Sequence, residues 1–459
     1  MSLNSDRTLS RRDFGKQAAG IAAATAIAAM SVPHVYAAEN NTIQVALVGC
    51  GGRGSGAAVD ALNAKGGPAK LVAMADAFED RLRGSYGHLR GALGNKMDVP
   101  EDRRFVGFDA YQKAMDCLKP GDVVIFATPL AFRWVHFTYA ISKGLNVFME
   151  KPLTADGPTS KRMIALAEQA SAKNLKCGVG LMSRHARHLQ ELQKRVQDGE
   201  IGEIIAMRGY RMEGKIGHFA SLPKPANMSH LEYQIRRFHS FLWAGGGCYS
   251  DFNIHIIDHL CWMKNAWPVK AQAVGGREYQ HAENGQPYVD QNFDSYGAEY
   301  TFADGTKMFF DGRCIDGAKG VYSSYLHGSK CSATASNAGD CGAPSAIYKG
   351  QNQSIRDRIW QSTDNSNPYQ NEWDDLMDAI RNNKPYNEVK RGVEASLVTS
   401  MGRMAAHTGQ EITFDMMLNS DHEFAPGIDK ITKDSPAPVM PDANGMYPQP
   451  RPGLKKREY

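Results

Sequence analysis

The chain is short of net charge, of closely paired cysteines and, past its first forty residues, of long apolar runs, and each shortage excludes something. Lys and Arg number 53 against 49 Asp and Glu, a net charge of +4 over 459 residues. So small an excess, with no Lys/Arg run interleaved with aromatics, argues against a nucleic-acid partner. The eight cysteines, at 50, 117, 177, 248, 261, 314, 331 and 341, contain no C-x-x-C pair, so a zinc or dithiol site of that type is not expected. Cys331 and Cys341 flank Ser/Gly/Ala-rich sequence and could bridge in an oxidising compartment, with Cys314 as a competing partner. No later run approaches the roughly 18 apolar residues of a membrane span. No internal repeat is present, which removes solenoid architectures. What remains, with 42% hydrophobic and 22% charged residues, is the composition of a soluble globular protein, and its length predicts two domains.

Residues 1–38 read as an address and not as part of the fold. Ser10-Arg11-Arg12-Asp13-Phe14-Gly15-Lys16 is a twin-arginine pattern, followed by an Ala-rich stretch from Ala18 to Met30 and a small-residue cleavage site near Val35-Tyr36-Ala37. This predicts export by the twin-arginine route and a periplasmic location. That route carries folded proteins, which suits a cofactor inserted before export and held tightly.

Ile43–Val48 reads as a strand, and Gly49-Cys50-Gly51-Gly52-Arg53-Gly54 follows at once, before an Ala-rich helix from Ser55 to Leu62. In a G-x-G-x-x-G turn the first glycine permits the bend, the second lets a pyrophosphate approach the backbone, and the third packs helix on strand. A second strand, Lys70–Ala75, ends in Asp76, where a carboxylate can hold both ribose hydroxyls; its charge favours NAD over NADP, while Arg81 and Arg83 keep NADP as the alternative. A third strand, Asp122–Ala127, runs into Thr128-Pro129. A helix from Phe132 to Lys143 closes at Gly144, and Asn146–Met149 ends at Glu150-Lys151-Pro152. Strand and helix alternating at this cadence predict a doubly wound parallel sheet, with residues 41–152 as the coenzyme domain. Gly49, Gly51, Gly52, Arg53, Gly54, Asp76, Thr128, Pro129, Glu150 and Lys151 are its candidate cofactor-binding residues. Lys151 is delivered to the carboxyl edge of the sheet, where open α/β sheets bind ligands. Glu150 and Pro152 set the turn there, with a cis Lys151–Pro152 bond a plausible part of it.

Further on, Gly245-Gly246-Gly247 leads into an amphipathic helix that carries Asp251 and His255 four residues apart, hence on one face. A carboxylate beside an imidazole orients it and raises its basicity, as a general base for an alcohol proton requires; a capping aspartate with a core histidine is the other reading of the same pair. His255 and His259, with Asp258 and Cys261 nearby, lack a third convergent ligand at a recognisable spacing, so no metal is expected.

Taken together, the glycine turn, the Thr128-Pro129 loop and Glu150-Lys151-Pro152 at their mutual spacings resemble the glucose–fructose oxidoreductase / inositol dehydrogenase (Gfo/Idh/MocA) family. Val179-Gly180-Leu181-Met182-Ser183-Arg184, then Asp198-Gly199-Glu200-Ile201-Gly202-Glu203-Ile204, resemble that family's entry into its second domain. The resemblance implies an N-terminal Rossmann domain joined to a C-terminal α+β domain, residues 153–433, whose large, mainly antiparallel sheet offers an open face for dimers or tetramers. It also implies a catalytic set of Lys151, Asp251 and His255 acting on a small carbohydrate. Two departures stand out: Arg133 where the family often has histidine, and Asn253 where it often has glycine. Either would alter the substrate site, the first by a fixed cation and the second by a hydrogen-bonding side chain. The segment between Arg211 and Trp243, with His218, Lys224, His230, Tyr233, Arg236, Arg237 and His239, reads either as a cover of the substrate cleft or as a solvated insertion. Arg184, His185 and Arg236 are further candidates for binding sugar hydroxyls or an acidic group.

Residues 272–315 alternate like strands with a turn at Asp304-Gly305, and residues 316–350, rich in Ser, Ala and Gly, read as loops. Helices are expected at Glu372–Arg381 and at Gly392–His407, the latter stopped by Gly409. Residues 434–459, with many prolines, read as an extended arm, either lying across a neighbouring subunit or disordered. The function that unites these features is NAD-dependent oxidation of a secondary hydroxyl of a sugar or glycoside. Because the periplasm has no free NAD pool, the hydride must be passed on within the site. The alternatives are an NAD-dependent glycoside hydrolase, working by transient oxidation, elimination, hydration and re-reduction, and a redox-inactive sugar-binding protein.

Overall fold

Strands β1 (Ile43–Val48), β2 (Ala69–Asp76), β3 (Arg104–Val106), β4 (Val123–Phe126), β5 (Asn146–Met149) and β6 (Cys177–Val179) form one sheet in the order β3-β2-β1-β4-β5-β6. Every pairing in it is parallel. β4 and β5 are buried at every position, which is why they read as continuous apolar runs and not as alternating ones. The order reverses between β1 and β4, and ligands of doubly wound sheets bind at the carboxyl ends of such a pair. The structure, a computed structural model, describes residues 41–459. The twin-arginine segment and its cleavage site lie outside the described residues.

The parallel sheet runs past Pro152, where the sequence reading ended it. Asp156 caps a further helix, Gly157–Ala172, accepting a bond from the Thr159 N–H at 2.9 Å, and that helix leads into β6.

The second sheet joins β7 (Ile204–Glu213), β8 (Lys270–Gly276), β9 (Ser295–Thr301), β10 (Lys307–Cys314), β11 (Val321–Gly328), β12 (Cys331–Ser336), β13 (Ala346–Lys349), β14 (Arg358–Gln361) and β15 (Ile412–Thr413). Their order is β14-β13-β12-β11-β7-β10-β9-β8-β15, antiparallel except for the β7–β10 pair. Three of these strands occupy the Ser/Ala/Gly-rich stretch that reads as loops. β12 is buried at five of its six positions, so small residues on both faces left no alternation to read.

Helices Gly247–Lys264 and Val389–Thr408 pack against each other and onto this sheet. The approach is close: a Cβ on Gly209 of β7 would lie 2.6 Å from Ile256. Gly247–Lys264 is not the amphipathic helix expected, since nearly all its residues are buried between the sheet and its neighbours. On the opposite face of the sheet, Val274 stands exposed.

Two open questions of the sequence concern the cysteines and the tail. All eight cysteines are free thiols, so Cys331 and Cys341 do not bridge; Cys331 instead begins β12, paired with Lys349 of β13. The tail from residue 434 packs on its own chain. Tyr447 sits edge-on to Phe241 at 4.7 Å between ring centroids, Gln234 donates to the Val439 carbonyl at 2.7 Å, and Tyr459 stacks on Phe424 at 4.9 Å.

Candidate active site

The glycine turn is built as its spacing requires. Gly49 has φ +98°, and a Cβ there would come within 2.6 Å of the Ala127 carbonyl carbon; at Gly54 it would lie 2.1 Å from the Gly49 oxygen. At Gly51 and Gly52 a Cβ would meet nothing within 4 Å, so the turn leaves room for a phosphate at the N-terminus of the helix Gly52–Leu62. Asp76, at the end of β2, accepts bonds from the Cys50 N–H at 2.7 Å and the Phe78 N–H at 2.9 Å. Asp76, Gly49, Gly51, Thr128 and Pro129 line one cleft together with Arg81. These features fit a dinucleotide, with the acidic residue where a ribose would lie.

Arg53 and Glu150 meet each other, Arg53 Nε donating to Glu150 Oε1 at 2.5 Å, and Arg53 also lies over the Tyr369 ring. They clamp the glycine turn to the end of β5, so their own charges are spent on one another.

At the end of β5 the Lys151–Pro152 bond is cis. Lys151 Nζ donates to the Asp251 carbonyl at 2.7 Å and lies 3.5 Å from Asp251 Oδ1, with both side chains largely buried. The Asp251 carboxylate does not bond His255, as four-residue spacing alone suggested. Its other oxygen receives His239 Nε2 at 3.1 Å. His239 Nδ1 accepts the His218 N–H at 3.1 Å, which leaves Nε2 as the protonated nitrogen facing Asp251. In sequence His239 is one of several polar residues of the covering segment, and nothing in its spacing from Asp251 marks it. Burial pushes the Asp251 carboxyl up, but Lys151 and His239 outweigh it and hold the group at about 2.

His255 is buried, and its Nδ1 has no partner among the described residues. Burial first, then the charges of Lys151 and Arg211, push its pKa well below the usual histidine value. At neutral pH it is therefore an uncharged base within the field of a lysine ammonium. A cation to steady an oxygen and a base to accept its proton stand together beside the carboxyl end of the parallel sheet.

Of the candidate substrate residues, Arg133, Arg184 and His185 are held by partners of their own. Arg133 is turned inward, donating to the Phe126 carbonyl and, at 2.8 Å, to the Thr128 carbonyl; it braces the loop under the cleft. Arg184 makes two 2.8 Å bonds to Asp258 and faces the rings of Trp262 and Trp267. His185 is held between Asp375 at 2.7 Å and Glu388 at 3.2 Å. Asn253 lies against the second sheet, where a Cβ on Gly312 would come within 2.9 Å of its Nδ2. Arg236 does line a cleft, the dinucleotide one, stacked over Phe78 at 4.0 Å and bonded through two nitrogens to Asp80 at 2.9 Å each. The segment before Trp243 thus reaches across the cofactor groove. His259, weighed as a metal ligand, bonds Ser324 at 2.7 Å, and Asp258 is taken by Arg184.

No family model matches the chain. It is 30% identical to the inositol 2-dehydrogenase of Corynebacterium glutamicum (strain R) over 113 residues, 24% of this chain and 33% of that protein. The chain spans about a third to a half of the length of the curated relatives it matches. In three dimensions it is similar to aldose-aldose oxidoreductase from Caulobacter crescentus, solved with glycerol, at a TM-score of 0.60 and 18% identity, covering 81% of this chain and 99% of that one. It is similar also to levoglucosan dehydrogenase in complex with NADH and levoglucosan, at a TM-score of 0.61 and 16% identity over 81% and 99% of the two chains. At these identities the likeness is one of fold: a Rossmann sheet joined to a mainly antiparallel one.

Proposed function

We propose that this chain is a sugar oxidoreductase of the glucose–fructose oxidoreductase / inositol dehydrogenase family that uses NAD to oxidise a secondary hydroxyl of a sugar or glycoside. The observation that carries the reading is the convergence of the Lys151 ammonium and the neutral His255 imidazole next to a glycine turn with room for a dinucleotide. The similarity of one segment to inositol 2-dehydrogenase and the fold shared with two sugar oxidoreductases support it.

In this reading Gly51, Gly52 and the helix N-terminus hold the pyrophosphate, and Asp76 holds the ribose and disfavours a 2′-phosphate. A nicotinamide held there would supply the acceptor for a hydride from the substrate carbon. His255 takes the hydroxyl proton, and Lys151 lowers the cost of negative charge on the oxygen left behind. Asp251, fixed by Lys151 and His239, keeps the ammonium in place. The twin-arginine pattern at residues 10–16 supports export to the periplasm, where the hydride must pass to a second sugar or return to the first. The exposed face of the second sheet is the proposed surface for dimers or tetramers.

Arg236 and Asp80 close the groove, so they are proposed to slow cofactor loss. Asp80→Ala is expected to speed release of dinucleotide about two- to fivefold, the modest effect of a half-exposed ion pair. The absorbance that stays with the protein through gel filtration measures it, and unchanged retention would remove that role.

The function is tested by incubating purified protein with a panel of sugars and aryl glycosides, without added NAD. Growth of the reduced-nicotinamide signal without aryl release supports a dehydrogenase. Aryl release with no net reduction would instead make it a glycoside hydrolase. Binding with neither would make it a sugar-binding protein.

A further inference from the structure

Arg211, on β7, joins three parts of the molecule. Its Nη1 donates to the Phe252 carbonyl at 2.5 Å, the helix residue next to Asp251, and lies 3.3 Å from Asp340 Oδ1. Its Nε reaches Glu213 at 3.1 Å. Asp340 belongs to the turn between β12 and β13, and the Tyr322 hydroxyl of β11 donates to the same Oδ1. No donor among the described residues reaches Oδ2. The side chain keeps 17% of its surface open, within the field of Lys151. The second sheet thus presents a carboxylate with a free acceptor oxygen, joined through Arg211 to the helix residue next to Asp251 and within the field of Lys151.

The surrounding charges are already matched. Lys151 faces Asp251, Arg53 faces Glu150, and Arg211 is shared by Glu213 and Asp340. A substrate carboxylate or phosphate would meet Asp340 before any unmatched cation. Polyol hydroxyls, by contrast, donate well to a carboxylate, and a hydrogen bond to an ionised acceptor is about twice as strong as a neutral one.

We infer that Asp340 is a substrate-binding residue, its Oδ2 accepting hydroxyls of an uncharged carbohydrate, and that the site thereby selects neutral sugars over sugar acids. This rests on the proposed oxidoreductase reading and names the substrate class for it. Burial pushes the Asp340 carboxyl up to about 6 against the pull of Arg211 and Lys151.

The test uses the full chain with its bound cofactor, probed with methyl glucosides, myo-inositol and glucuronate, and reads the nicotinamide signal. Asp340→Asn keeps an acceptor for Tyr322 and Arg211 while removing the charge. It is expected to raise KM for neutral probes about ten- to a hundredfold with kcat little changed, the range of one lost charge-assisted bond. It should also narrow the preference for neutral probes over glucuronate, which loss of mere support for Arg211 would not do. Thermal midpoints of both proteins establish that the variant is folded; should it not fold, Asp340→Glu, which keeps the charge and moves it, must show the same KM change. If the wild type turns over neutral sugars and Asp340→Asn leaves KM and preference unchanged, the inference fails while the oxidoreductase reading stands. Preference of the wild type for glucuronate has the same meaning. Turnover of none of the probes overturns both.

Discussion

His255→Asn is expected to lower turnover by about 10²- to 10⁴-fold, the usual worth of a positioned general base. Lys151→Met is expected to cost about 10²- to 10³-fold, that of a donor aimed at developing negative charge. Both variants should keep their dinucleotide, since neither residue forms the glycine turn or the Asp76 cleft, so absorbance of the bound cofactor separates lost chemistry from lost binding. The pH profile adds a second readout. His255 accepts a proton only when neutral, and burial, then Lys151, then Arg211 hold its pKa well below the usual value. Its acid limb in the wild type therefore lies well below pH 6.5. Removing the Lys151 charge makes protonation of His255 easier, so the residual activity of Lys151→Met should fall off at a higher pH. Turnover unchanged in both variants would end the assignment, and a limb unmoved in Lys151→Met would separate the two residues.

What the sequence disclosed depended on how local the physics was. Gly49 to Gly54, the strand ending at Asp76 and the turn at Glu150-Lys151-Pro152 are each fixed by neighbours a few residues away, and each stands where its pattern put it. Helix Val389–Thr408 ends at Gly409 with φ +69°, a stop set by backbone geometry at one position. Two of the candidate substrate residues are paired elsewhere for the opposite reason. Arg184 and His185 are polar residues in a favourable stretch, but Asp258, Asp375 and Glu388, which neutralise them, come from distant parts of the chain. His239 and Asp340 reach the site by tertiary folding alone, one from a covering segment and one from a turn between strands whose small buried residues hid their period.

The same distance effect governs the tail, and there it carries the largest expected loss of stability. Glu458 is buried against Arg403 through two bonds of 2.8 Å, with His407 Nδ1 at 2.8 Å from its Oε1. Glu458→Ala would leave a fully buried guanidinium without its carboxylate, at a cost of about 3–5 kcal/mol, read as a lower denaturant midpoint. Burial pushes the Glu458 carboxyl up, but Arg403 and His407 outweigh it and hold it at about 2. Because that folded value lies below the unfolded one, near 4.5, the pair stabilises the fold above pH 4.5 and loses its contribution as the pH falls toward 2. In Glu458→Ala this part of the acid dependence should disappear. Arg403 does more than hold the tail. The same guanidinium donates to the Gly246 carbonyl at 2.7 Å and the Ser250 hydroxyl at 3.0 Å, at the start of the helix that carries Asp251 and His255, and to the Ala155 carbonyl at 3.2 Å, just past Lys151-Pro152. A residue next to the last of the chain thus steadies both sides of the proposed catalytic pair. Glu458→Ala should lose turnover at temperatures where the fold still stands, whereas a tail that served only as packing would cost stability and leave turnover of the folded fraction intact.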